Sequence, residues 1–531
     1  MKRVLFTFCV LILAGFSSAL AQPKPGLAAD AELVETRREV PKLKAPAAYE
    51  PKDNVVDIEL SNYAGYAGLI AANGGMEPNE NSIFFRKHGF KLRIALSEEE
   101  SWNALNAGKM AASATTADVV AVYGKQFDVT VPALIGFSRG ADGVVVRGNI
   151  KRINDLKGKV LATCQFTESD FFIRYLASEA GIEINLLDDL SSTPDPDKLN
   201  LVACADGFGA GDLFLRDLKA GRQRLAGCVT WAPKTTEVAS ASNGRAKVLV
   251  TNRNLLIVAD ILIVNRGFAR AHPEMVRGLV EGLIVGNQMV RDNPRAYLPL
   301  ISKALKWDPA DAEAELAKVH LANLPENISF FDGTIDSAGS YGFIYESAVA
   351  SYGKGMIPEP TDSDYFLDLS TLKAMQSSGL YAAQVAQVVP LKSENAGPIE
   401  TEPLLSKNIR FVFEPNSSKL DLQNKLNLSA LENFSKLLQI SPGSTILLRG
   451  HADPSLIPQF RAQGGEAMVH RVALRAMQLS KDRAAEVQKV LVEKYRMDPN
   501  RIKAIGRGWE EPISDKPDEN RRVELQWFTL Q

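Results

Sequence analysis

Cysteine, histidine and tryptophan are scarce in this chain: 531 residues carry four, five and five of them. The five histidines, His88, His272, His320, His451 and His470, are scattered with no metal-ligand spacing, so the sequence offers no metal site and implies no cofactor. Cys9 sits inside the leading apolar run rather than at its end, which excludes a lipobox. Of the remaining Cys164, Cys204 and Cys228, one disulfide at most can form, with Cys204–Cys228 the more local choice and at least one thiol left over. An excess of charge of one sign is also lacking. The formal net charge is -2, which excludes a global basic field for nucleic acid or an anionic membrane. Long hydrophobic runs are missing too. Val4 to Phe16 is too short to span about 30 Å of hydrocarbon. Leu255 to Val264 is interrupted by Asp260 and reads as a buried strand.

What is present begins with an export signal. Lys2 and Arg3 precede the apolar run, and Ala19-Leu20-Ala21 supplies small residues for cleavage after Ala21. Beyond the expected signal peptide, 1–21, residues 22–52 mix Pro, Ala, Lys and Glu without period and read as a tether. Residues 53–389 form a long ordered stretch. Residues 390–404, rich in Pro and charge, read as a linker, and 405–531 as a final unit. Hydrophobic residues at 45% and charged residues at 23% are ordinary for a globular protein, and the length exceeds what one core holds.

Within 53–389 strand-like and helix-like segments alternate. Asn54 to Leu60, Phe90 to Leu96, Thr130 to Ile135, Gly143 to Val146, Lys159 to Ala162 and Lys247 to Val250 read as strands. Ala64 to Asn73 and Ser101 to Met110 read as helices. This pattern predicts an α/β fold with a parallel or mixed sheet in two lobes, the second at about 140–250. Ligands of such sheets sit beyond strand carboxyl ends, beside helix N-termini. Polar clusters stand there at Ser61-Asn62-Tyr63, at Ser113 with Thr115 and Thr116, and at Cys164 to Ser169. Each alone reads as helix capping; three equivalent clusters read as a shared cleft.

Two catalytic motifs fail on context. Gly136-Phe137-Ser138-Arg139-Gly140 fits G-x-S-x-G, but an extended Val144-Val145-Val146 follows where a helix is required. Gly207-Phe208-Gly209-Ala210-Gly211 lacks the final glycine of a dinucleotide site. No constellation supports an enzyme.

Blocks in order carry a resemblance over Asp53 to Asp368: Asn62-Tyr63-Ala64-Gly65-Tyr66, Ala107-Gly108-Lys109-Met110, Ala114 to Val120, Phe137 to Gly143, Leu156 to Val160, Val229 to Pro233, the Asp260 strand and His272-Pro273-Glu274. The stretch resembles substrate-binding proteins of ABC importers in the nitrate, sulfonate, taurine and thiamine-precursor superfamily. The resemblance implies a two-lobed periplasmic-binding-protein (type II) clamshell, joined by two crossovers and closing on a small solute, in this family often anionic. Matching positions nominate Tyr63, Thr115, Thr116, Ser138, Thr167, Trp231 and Asp260 as ligand-binding. Trp231 reads either as a cleft wall or as core. Asp260 either pairs a ligand amine or an arginine.

In the final unit, Ile409 to Phe413 reads as a strand and Leu428, Leu431, Phe434 and Leu437 mark a helix face. Thr445 to Leu448 runs into Gly450-His451-Ala452-Asp453, and Leu479-Ser480-Lys481-Asp482-Arg483-Ala484 opens a second helix. Ile502 to Ile505 and Asn520 to Leu525 close the series. These blocks resemble the OmpA-like peptidoglycan-binding domain, implying a small α+β βαβαββ unit that holds the diaminopimelate of the wall's stem peptide. Asp453 and Arg483 match its ligand positions: a carboxylate takes the ammonium of this zwitterion and a guanidinium its carboxylate. Asn520 and Arg522 are secondary, Arg522 reading equally as a structural partner. The sequence departs from the family in a long loop, Pro454 to Gln478, with added Arg461, Arg471 and Arg475. Ala476 stands where an asparagine is common.

The expected protein is a non-enzymatic binding protein of the Gram-negative periplasm, anchored to peptidoglycan and peripheral to the outer membrane, with a small-molecule solute and no nucleic acid as partner. It delivers its solute to an ABC permease or reports it to an envelope sensor. The alternative is a structural wall-tethering protein whose receptor-like part no longer binds a solute.

Overall fold

The computed structural model describes residues 33–97, 102–333, 340–386, 388, 403–414 and 417–529. The expected signal peptide, the start of the tether and most of the linker lie outside them. Among the described residues no helix is long and apolar enough to cross a membrane.

Residues 33–52 are not a free tether. Glu35 donates its amide to Ala203 O at 2.8 Å, Ala47 donates to Asn106 O at 2.9 Å, and Tyr49 is buried and hydrogen-bonded to Asp57. The strap follows both lobes because Leu33, Val34, Val40, Leu43 and Tyr49, too spread for a visible period, each find an apolar cluster.

The strands run β1 (Val55–Leu60), β2 (Lys91–Leu96), β3 (Ala112–Thr116), β4 (Val129–Ser138), β5 (Asp142–Arg147), β6 (Val160–Cys164), β7 (Ile184–Leu186), β8 (Leu199–Cys204), β9 (Gly227–Trp231), β10 (Ala246–Thr251), β11 (Ala259–Asn265) and β12 (Val319–Leu321). They form two mixed sheets, ordered β12-β4-β11-β3-β1-β2 and β10-β5-β9-β6-β8-β7. Every residue of β3, β4, β6, β8 and β11 is buried. Central strands covered on both faces need continuous apolar runs rather than alternation, which is what these segments supply.

The chain passes between the sheets twice, at Arg139–Ala141 and at Asn252–Val258. This is a two-lobed binding-protein architecture. The expected Leu255 to Val264 strand thus divides, its first four residues serving as crossover. Asn252 staples the crossovers: its Oδ1 accepts from Gly140 N at 2.8 Å and Asp142 N at 3.2 Å, and its Nδ2 donates to Asp142 Oδ2 at 2.8 Å. Cys164, Cys204 and Cys228 are all buried thiols, and the Cys204–Cys228 disulfide, the more local choice, is not formed. Burial pushes the Cys204 thiol up to about 12.

In the first lobe helix α1 (Ala67–Asn73) crosses the long helix Pro273–Asp292 through glycines. A Cβ on Gly286 would lie 2.0 Å from Gly68 O, and one on Gly68 would lie 2.0 Å from Asn287 Oδ1. Gly286→Ala therefore forces the helices apart and strains Asn287, whose amide spans Ile135 O and Ala322 O at 2.9 Å each. The expected loss is about 1–3 kcal/mol, seen as an earlier thermal unfolding midpoint; an unchanged midpoint would contradict this packing.

The final unit carries β13 (Leu405–Ile409), β14 (Thr445–Gly450), β15 (Ile502–Gly506) and β16 (Val523–Phe528) in the order β13-β16-β14-β15, with helices Lys425–Gln439 and Ile457–Glu493. Two expectations shift here. The first strand is Leu405–Ile409, paired from Leu405↔Trp527 to Ile409↔Val523, rather than Ile409 to Phe413. Past Ile409 the chain leaves the sheet, and Phe411 packs edge-on against Phe434. The expected long loop is largely helical, broken only at Gly464 and Gly465, the latter at φ 62°. This unit docks on the second lobe and the crossover. Asn154 bonds both backbone groups of Ser406 at 2.8 Å, and Leu256 N donates to Ile440 O at 2.7 Å.

Candidate functional site

The carboxyl ends of β1, β3 and β4 in one lobe and of β6 and β9 in the other meet around the crossovers, and the expected solute residues occupy those ends. Tyr63 follows β1, Thr115 and Thr116 close β3, and Ser138 ends β4. Asp260 opens β11 and, because β11 is antiparallel, lies in register with Thr116 and Gly136. These five come together. The Tyr66 hydroxyl donates to Asp260 Oδ1 at 3.4 Å and the Ser138 hydroxyl to Asp142 Oδ2 at 2.6 Å. Burial, then the Asp260 charge, raise the Tyr63 phenol well above its usual value.

Thr167 and Trp231 lie on the second lobe. The Thr167 hydroxyl donates to Cys164 O at 2.8 Å, closing the turn before helix α2 (Glu168–Glu179) rather than capping the helix amides. Trp231 packs against Phe208 at 5.6 Å and over Gly207, where a Cβ would come within 2.2 Å of its ring. A separate cavity of about 390 Å³ on this lobe, between Arg147, Lys159, Leu187, Ser192, Gln223 and Arg224, shares no lining residue with the expected set.

The sequence reading passes over the most unusual groups here, Asp118, Asp142, Asp170 and Arg174. Asp118, the second residue of the helix Ala117–Tyr123, has no exposed surface, and the Thr116 hydroxyl beside it only partly offsets the effect of burial. Burial pushes it up to about 7, with Asp142 and Asp170 near enough to add to the rise. Burial likewise pushes Asp142 up to about 6. Asp170 pairs with Arg174 at 2.8 Å, and Arg174 lies 4.6 Å from the Tyr352 ring, which stacks on Phe166 at 6.2 Å. A visible signal existed: an aspartate at the second residue of an otherwise apolar helix, directly after two threonines.

In the final unit Asp453 and Arg483 share a neighbourhood through a residue not nominated, Arg521. The Asp453 Oδ2 lies 3.3 Å from Arg521 Nη2 and accepts from the Ser455 hydroxyl at 2.6 Å. Burial opposes ionisation of Asp453, but the Ser455 and Arg521 contacts hold its pKa below the ordinary value. The Arg483 guanidinium lies 4.9 Å from the Phe413 ring, and burial together with the Arg521 charge lowers its pKa. Close backbone contact aligns the helix: a Cβ on Gly450 would fall 1.9 Å from Ser480 O, and the Ser480 hydroxyl accepts from Gly508 N at 3.0 Å. Arg483, three residues on, lies on the same helix face.

Asn520 and Arg522 are turned inward. Asn520 accepts from Ile513 N at 2.8 Å and donates to Ser514 O at 2.8 Å, while Arg522 donates to Asn408 Oδ1 at 2.8 Å and Glu511 O at 3.2 Å. His451, Glu511 and Glu524 bring their ligand atoms within 4.8 Å of one another. Arg449 already bridges both carboxylates at 2.8 Å, which gives this group the makeup of a structural ion network rather than a cation cradle. The signal for Arg521 was alternation: it stands exposed between two inward residues at the mouth of β16.

Residues 412–525 match the OmpA family. The chain is similar to outer membrane protein Omp38 of Acinetobacter baumannii, 27% identical over 149 residues, covering 27% of this chain and 37% of that protein. It thus spans about a third of that relative's length. Among solved structures it is similar to the alkanesulfonate-binding protein SsuA of Xanthomonas axonopodis pv. citri, bound to MOPS, at 13% identity, covering 60% of this chain and 99% of that one, with a TM-score of 0.42. It is also similar to the periplasmic nitrate-binding protein NrtA of Synechocystis, at 13% identity, 64% and 91% coverage and a TM-score of 0.41.

Proposed function

We propose that this chain is an exported solute receptor held at the cell wall: its interlobe cleft takes a small molecule, and its final unit grips the diaminopimelate of peptidoglycan. One observation carries the reading. Asp453 and Arg483, distant in sequence, both border Arg521 within the segment that matches the OmpA family. A carboxylate flanked by guanidinium groups complements a zwitterion whose ammonium and carboxylate are close together. Ring contact with Phe413 limits the freedom of Arg483, so less entropy is lost on binding.

The test uses the full-length protein and isolated sacculi. Co-sedimentation with diaminopimelate-type sacculi is expected, free meso-diaminopimelate should compete it away, and lysine-type sacculi should pellet much less protein. Equal pelleting with both wall types would sink diaminopimelate recognition.

A further inference from the structure

The cavity of about 390 Å³ on the second lobe lies at the end of its sheet remote from the crossovers, where β5 finishes and β6 and β9 begin. Every titratable residue that lines it is basic: Arg147, Lys159 and Arg224. Small-molecule sites commonly enclose about 300–1,000 Å³ between apolar walls and a few fixed polar groups. Leu187, Leu190 and Pro194 supply the apolar wall here.

A second observation concerns how the cations are held. Asp217, a fully buried carboxylate, serves three guanidinium groups at once: Arg147 at 2.7 Å, Arg224 at 3.2 Å and Arg222 at 3.6 Å. One negative charge offsets one of the three, so the cluster carries an excess of positive charge before Lys159 is counted. Lys159 is exposed, and among the described residues it forms no ion pair. Arg147 is fixed further by Leu225 O at 2.6 Å, Arg222 O at 2.7 Å and the Phe214 ring at 5.8 Å. The carboxylates between Leu187 and Leu190 are already engaged, Asp188 by Arg38 at 2.7 Å and Asp189 by the Ser191 and Ser192 hydroxyls at 2.7 and 3.1 Å. Neither lines the cavity. Guanidinium groups anchored in this way lose little rotamer freedom on meeting an oxyanion.

We propose that this cavity is a ligand site for a small organic oxyanion, a carboxylate or phosphate monoester, whose charged head is held by Lys159, Arg224 and Arg147 and whose apolar body lies against Leu187 and Leu190. The site shares no residue with the interlobe set or with the final unit, so it stands or falls apart from both.

The test is calorimetric titration of the full-length protein with benzoate, phenyl phosphate, benzamide and inorganic phosphate at low ionic strength, where exposed charges are least screened. Saturable binding of benzoate or phenyl phosphate is expected. Benzamide has the shape of benzoate without its charge, and should bind roughly tenfold more weakly or worse. Lys159→Glu reverses an exposed charge and leaves the core alone, so it should cut anion affinity by roughly tenfold or more with the unfolding midpoint unchanged. Arg224→Gln should weaken binding as well, with an earlier midpoint because Asp217 loses a partner. Silence of both organic anions would overturn the proposal, and so would anion binding that neither substitution weakens. Benzamide binding as tightly as benzoate would overturn the part given to charge. Inorganic phosphate matching phenyl phosphate would overturn the part given to the apolar wall.

Discussion

Asp453→Ala and Arg483→Ala should each release the full-length protein from diaminopimelate-type sacculi, with a fall in affinity of about 10- to 100-fold. The size follows from losing one charge-assisted contact, about 1.5–3 kcal/mol. Both residues lie at the rim of their unit, Asp453 beside exposed Arg521 and Arg483 against Phe413, so neither substitution opens a large core cavity. Asn520→Ala and Arg522→Ala should behave differently. Their polar groups hold Ile513, Ser514, Asn408 and Glu511 in place. These changes should lower the unfolding midpoint by more than they lower wall affinity. Sedimentation beside thermal unfolding of the four variants separates the two behaviours. Undiminished pelleting of both Asp453→Ala and Arg483→Ala would remove the assignment.

The second large effect concerns pH. Unfolded chains ionise an aspartate near pH 3.9, whereas burial pushes Asp118 up to about 7. Between those values folding takes up a proton, so stability falls as pH rises from about 4 to about 7 and the loss is complete above. Three units correspond to about 4 kcal/mol at most. Asp118→Asn keeps the shape and removes the ionisation, so the two-lobed unit should unfold later than the unsubstituted protein at pH 8 and at nearly the same point at pH 4.5. Asp142, pushed up to about 6, contributes a smaller trend of the same sign and remains in the variant. Denaturant unfolding across this range tests the expectation, and parallel pH curves for the two proteins would defeat it.

Much of this organisation was readable from local pattern. Runs such as Thr130 to Ile135 and Lys159 to Ala162 signalled buried strands because a sheet covered on both faces demands unbroken apolar sequence. The blocks of the final unit were readable because Gly450, Ser480 and Arg483 belong to one compact packing unit whose spacing shows in the chain. Other features left no local trace. The strap at 33–52 has no period because its apolar residues serve different clusters. The first strand of the final unit was placed four residues late, since Phe411 and Phe413 extend an apolar alternation beyond the last paired residue, Ile409.

Sequence alone determined that the chain builds an α/β receptor-like unit and a separate small α+β unit, and it nominated a carboxylate and an arginine in the latter. Hydrophobic spacing and backbone-compatible glycines are local quantities, so they survive in one dimension. Tertiary structure decided which charges meet. Only folding brings Arg521 to Asp453, turns Arg522 inward, and encloses Asp118 and Asp142 without an ion pair to lysine or arginine among the described residues. Electrostatic character depends on distance and burial across the fold, and neither is written in the order of residues.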